Sequence, residues 1–221
     1  MNDTLLNDMI EELKNNNCII NVHDIEKNKF KRSDNAILLK YLGKFEGDNY
    51  NKLIVRCLGQ KGIYELSEPL INEFVSSDNS GYRWTIANSL LIISDLSKID
   101  TYLSIIKNKK FGSSRQMLVL LIGKCRQKDC FDVLMQLLDE RDHDVLPHVL
   151  IALKKRKDKQ EQELVFTNVK KFYDDITSDD GKQNFISELT QIKSTNPEYE
   201  HTDIKGYYSY VLKLCRKIID N

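Results

Sequence analysis

Apolar blocks recur along this chain about 32 residues apart, and few folds accommodate such a repeat. The stretches 51–59 (NKLIVRCLG), 83–91 (RWTIANSLL), 115–123 (RQMLVLLIG) and 146–154 (LPHVLIALK) align on Leu58, Leu90, Ile122 and Leu153, at steps of 32, 32 and 31 residues. Within each, apolar residues fall at helical spacing over a broad face, the pattern of a well-buried amphipathic helix. A second series precedes the first, at 67–75, 100–106 and 131–138, aligned on Leu70, Leu103 and Leu134. Pro69 suits a first helical turn, where its missing N–H costs nothing, and Asp100 reads as an N-cap. Polar turns at 76–81, 107–112 and 139–144 join the paired helices.

Two short helices joined by a short turn cannot each bury a broad apolar face, whereas stacked pairs can, and the result is an α-solenoid. Helices at 35–45, 50–60, 161–173 and 181–192 extend the array, those at 4–15 and 207–219 read as caps, and 18–31 is less regular. The expectation is an all-α chain in which residues 1–221 form one domain, with its best-defined repeats at 34–158 and caps at 1–33 and 194–221. With 221 residues, 41% of them hydrophobic, a continuous core is available and global disorder is excluded. Only 3 Pro and 9 Gly argue against an all-β sandwich with many tight turns.

The pattern resembles the HEAT-like repeats of armadillo-type folds, whose second helices carry an Arg, then small or apolar residues, then Leu-Gly. Arg83, Ala87 and Leu90 match it in one repeat, and Arg115, Ile122 and Gly123 in the next. Asn51 and Leu146 stand where the Arg would be in the flanking repeats, and Asp78 and Asp139 echo the turn Asp, which Lys109 does not. The resemblance implies a right-handed α-α superhelix of about five helix pairs, with second helices lining a concave face. Arg83 and Arg115 would then lie near the mouth of that face. The motif is degenerate and speaks to fold far more than to function.

Charge and cysteine usage narrow the setting. Lys plus Arg and Asp plus Glu both number 33, so bulk electrostatics give no reason to bind nucleic acid or membrane. The acidic start, with Asp8, Glu11 and Glu12, is unlike a secretory signal, and the longest apolar run, 117–123, is far shorter than a membrane span. Five cysteines without a CxxC fit reduced thiols and a cytoplasmic protein better than a disulfide framework.

Three sets of residues invite functional readings. Arg83 and Trp84, the latter the sole Trp, suit a partner hot spot or a base-stacking platform. The plainer reading has Arg83 bonding Asp78 and Trp84 packing between repeats. A basic edge collects Lys124, Arg126, Lys128, Lys154, Lys155 and Arg156 at the ends of second helices, where it would meet phosphates or an acidic protein. Its plainer role is to complement the helix dipoles. Spacing gives His143 and His148, or Cys125 and Cys130, no metal set or nucleophile pair, and phosphate-binding loops are lacking, so no metal, cofactor or catalytic residue is expected. Tyr207, Tyr208 and Tyr210 cannot share one helix face and read as the edge of a cap, with one or two exposed.

The leading expectation is therefore a non-catalytic protein-binding solenoid: an adaptor, a regulator or an immunity-type inhibitor of a toxin. Its partner-binding residues would be Arg83, Trp84, Asn88, Arg115 and His148. The alternative is a nucleic-acid repair enzyme similar to the DNA glycosylases built from HEAT-like repeats, with Trp84, Asp95 and Arg115 around a lesion. A third reading, a HEAT-like lyase or chaperone for a phycobilin cofactor, is demanded by no residue.

Overall fold

A computed structural model describes residues 2–16 and 30–220 of the chain. Most of the irregular 18–31 stretch, with Cys18, lies outside these residues. Among the described residues there are twelve α-helices, some short 3-10 turns and no strand, so the chain is all-α. It divides into two compact units, Met1–Leu121 and Ile122–Asn221.

The first unit holds α1 (Asn2–Asn15), α2 (Asn35–Tyr41), α3 (Asp48–Leu58), α4 (Ser67–Ser76), α5 (Ser80–Ile93), α6 (Ile99–Lys107) and nearly all of α7 (Gln116–Ile122). The period survives as geometry. Helices α2, α4 and α6 are each entered through a 3-10 turn, at Arg32–Asp34, Tyr64–Leu66 and Leu96–Lys98, and these turns begin 32 residues apart. Pairing follows the sequence: α2 packs on α3, α4 on α5, and α3 on α5. Leu58, Leu70 and Leu90, on which the two series align, are fully buried.

Polar links within this unit repeat at nearly the same separation. Arg32 pairs with Glu65, and Lys98 with Glu68. The Ser89 hydroxyl donates to the Val55 carbonyl and the Ser114 hydroxyl to the Ser80 carbonyl, both over 34 residues. The start of α5 is capped as its residue type dictates: the Asn79 side chain accepts from the Tyr82 N–H at 2.7 Å. Helix α6 starts at Ile99, so Asp100 stands in its first turn rather than capping it.

The second unit holds α8 (Lys128–Asp139), α9 (Leu146–Lys154), α10 (Lys159–Thr177), α11 (Asp179–Thr195) and α12 (Ile204–Ile219). Helix α8 packs on α9 and α10 on α11, while α12 lies against α9, α10 and α11. Tyr207 and Tyr208 fix it by donating to the carbonyls of His143 (2.8 Å) and Ile176 (2.9 Å), while Tyr210 is exposed. Burial and the nearby Asp144 and Asp142 carboxylates hold the Tyr207 phenol far above its usual range. The α10–α11 joint is tight: a Cβ on Gly181 would lie 1.9 Å from the Asp175 carbonyl oxygen, so only glycine fits there.

Candidate functional site

Helix α5 supplies the most exposed apolar surface among the predicted partner-binding residues. Its buried side is made by Tyr82, Thr85, Ile86, Ala87, Ser89, Leu90 and Ile93. Four-residue steps put Trp84, Asn88 and Ile92 together on the other side. Trp84 is 40% exposed and Ile92 43%, with Asn88 half-buried between them. The indole N–H of Trp84 donates to Gln116 Oε1 at 3.4 Å, so the stripe continues onto the first turn of α7. On its other flank the Lys52 side chain of α3 runs beside Gly81, its Nζ 3.4 Å from where a Cβ on Gly81 would stand. Lys52, Trp84 and Gln116 are 32 residues apart in turn, and His148 holds the same register on α9.

The two predicted arginines have other occupations. Arg83 is half-buried and lays its guanidinium over the Phe111 ring, 5.4 Å from the centroid, where Phe74 also packs. Its Nε is buried with no hydrogen-bond partner among the described residues. Arg115 is 0% exposed, which corrects the expectation that it stands at the mouth of a groove. Its Nε donates to the Gly112 carbonyl and one terminal nitrogen to the Ile106 carbonyl, both at 2.9 Å. Gly112, with φ 48°, breaks the 3-10 stretch before α7, and the guanidinium satisfies its carbonyl together with the one at the end of α6. Asn51 does the same one module earlier than Arg83, donating to the Phe45 and Gly47 carbonyls.

His148 is half-buried near the start of α9, its Nδ1 without a hydrogen-bond partner among the described residues. Loss of water around the ring holds its pKa below the ordinary 6.5.

The basic edge belongs to the second unit. Lys124, Arg126, Lys128, Lys154 and Lys155 are exposed, and Lys128 pairs with Asp132 on its own helix at 2.5 Å. Arg156 departs from this set and is buried. Its fork grips both carboxylate oxygens of Glu161 at 2.7 Å, and it donates to the Cys125 carbonyl, tying the end of α9 to the turn before α8. An arginine in a run of lysines reads as surface; the one local hint of its role is Glu161, five residues on.

Constellations for chemistry do not assemble from the predicted residues. Trp84 lies in the first turns of α5 and Asp95 just past its end, about 16 Å apart along the axis. Asp95 is buried and accepts from the Ser97 N–H (3.0 Å) and hydroxyl (2.6 Å), capping the next 3-10 turn. With Arg115 interior, these three do not converge on a base. Burial and the neighbouring Cys125 thiol push the Cys130 thiol up to about 12, which keeps it protonated. Among the described residues no group of three His, Cys, Asp or Glu side chains is set to hold a metal, and no helix is long and apolar enough to cross a membrane.

Comparison with family models, with curated proteins and with solved structures finds no match to this chain.

Proposed function

We propose that this chain is a non-catalytic, cytoplasmic protein-binding module, an adaptor, regulator or immunity-type inhibitor, built as a HEAT-like right-handed superhelix. The observation that carries this reading is the outward stripe Trp84–Asn88–Ile92 on a helix otherwise packed. A large aromatic held by one hydrogen bond and followed by an exposed branched residue is the composition of an interface anchor rather than of a solvated face. The 32-residue spacing of module starts and the links between modules support the superhelical build. Arg83 and Arg115 act inside the modules and shape this surface without touching the partner. His148 stands one period beyond Gln116 in the sequence and belongs to the other unit.

The test is affinity capture from the native cell, followed by titration of the purified partner. Trp84→Ala combined with Ile92→Ser is expected to abolish capture while circular dichroism stays that of the parent. A double variant that folds and captures the same partner with unchanged affinity refutes the stripe as the contact. Tight binding of duplex DNA with a steep salt dependence, in place of any protein, refutes the reading as a whole and favours the repair alternative.

A further inference from the structure

The second unit carries a feature that the stripe on α5 does not involve. The last turn of α9 and the C-terminal half of α12 line an open surface hollow of about 610 Å³. Lys154 comes from α9, and Lys213, Arg216 and Lys217 from α12, with Asp220 just past its end. Four cations against one carboxylate leave a formal charge of +3 around the hollow. Lys213 and Lys217 are one turn apart on one face of α12, and the packing of α12 on α9 brings in Lys154 from 59 residues upstream. Neither Lys154 nor Lys213 forms an ion pair among the described residues.

Helix dipoles explain part of this charge. Lys154 and Lys217 lie in last turns, where a cation offsets the carbonyl ends. Lys213 lies a turn and a half before the end of α12, outside the reach of that effect. Like charges on neighbouring turns and on two packed helices repel, and Asp220, the one carboxylate of the lining, offsets only part of that charge. Arg216 is oriented there by Tyr173, whose hydroxyl accepts from its Nε at 2.9 Å and whose ring centroid is 5.7 Å away.

The geometry points to this hollow as a binding site for a compact multivalent phosphate group, such as a di- or triphosphate. Three lysines present point charges with rotatable donors, which follow phosphate oxygens arranged in three dimensions. No aromatic ring lines the hollow, so it offers no stacking platform for a single-stranded nucleic acid. The ligand's phosphates carry the recognition, whether they belong to inorganic polyphosphate or to a nucleotide.

Isothermal titration of the full chain with tripolyphosphate, at two salt concentrations, tests the site. Saturable one-to-one binding is expected, weakened about tenfold by each of Lys154→Gln and Lys213→Gln. A control, Lys61→Gln with Lys107→Gln, exposed lysines of the other unit, is expected to leave it unchanged. A nucleoside triphosphate that binds as tripolyphosphate does assigns recognition to phosphate alone; tighter binding assigns the nucleotide as the source. Absence of saturable binding overturns the proposal, as does equal weakening by the control pair. A single-stranded oligonucleotide that binds more tightly than tripolyphosphate overturns it in favour of a nucleic-acid surface. Because the variants leave Trp84 and Ile92 intact, failure here is separable from failure of the partner-binding reading.

Discussion

The Ser89 hydroxyl donates to the carbonyl of Val55 at 2.9 Å, a bond from one module to the C-terminal turn of the module before it. The same carbonyl also accepts the N–H of Gly59, the residue that ends α3. A Cβ on Gly59 would come within 2.8 Å of the Ser89 hydroxyl oxygen and 3.1 Å of its Cβ. Gly59→Ala is therefore expected to cost roughly 2 kcal/mol of stability, as overpacking of a closed joint does. Ser89→Ala removes one buried hydrogen bond, for about 1 kcal/mol. Since loss of the Ser89 hydroxyl also frees the space that a methyl group on Gly59 would need, the double variant should be less destabilised than the sum of the two. Urea unfolding of the four proteins measures that coupling, and strict additivity would mean that the two residues do not share the joint.

Arg115 allows a sharper separation of structure from function. Its guanidinium is wholly buried and satisfies the carbonyls of Ile106 and Gly112. Arg115→Met keeps most of the volume and leaves these acceptors without their charged donor, an expected loss of roughly 3 kcal/mol. Arg115→Lys should recover little, because a single ammonium does not reproduce the fork. Partner affinity, measured below the unfolding transition, is expected to stay within about twofold of the parent. A variant of normal stability that no longer binds would return Arg115 to the contact surface.

Trp84 reports directly on the proposed contact, since no second tryptophan competes with its emission. The indole is 40% exposed, and a partner that covers it replaces water around the ring with protein. Titration with the captured partner is expected to shift the emission to the blue, whereas tripolyphosphate, which addresses the other unit, should leave it unmoved. An unshifted spectrum on saturation with partner would mean that the contact lies elsewhere.

Much of the helical order was legible because it depends on local periodicity. Leu58, Leu70, Leu90, Ile122, Leu134 and Leu153 are interior as their spacing predicts. Helix ends were less legible: α10 begins at Lys159, two residues before the predicted 161, because the Asp158 carboxylate caps the N–H groups of Gln160 and Glu161. Arg115 and Arg156 depart from the predicted surface because a charged side chain heading or ending an amphipathic stretch looks solvated, and its carbonyl partners lie at a helix end or in a turn that sequence spacing does not describe. Ile92 is absent from the predicted contact set, although it stands eight residues after Trp84 and so on the same face. The meeting of Lys154 with Lys213 has no local signal at all, since it depends on how α12 docks.

His148 gives the fold a pH dependence of known sign. Desolvation of its ring favours the neutral form, so the folded pKa lies below the ordinary 6.5 that the unfolded chain retains. As pH falls through 6.5, the unfolded state takes up a proton that the folded state resists, and the equilibrium moves toward unfolding. The contribution of His148 is thus fully present above 6.5, is lost progressively as pH falls toward the folded pKa, and changes no further below it. His148→Gln removes the titrating group at nearly the same size. Urea midpoints measured from about pH 8 down to about pH 5 should converge for the two proteins in relative stability at the alkaline end and separate in favour of the variant at the acid end. Parallel midpoints across the range would show that the ring is as well solvated in the folded protein as in the unfolded chain.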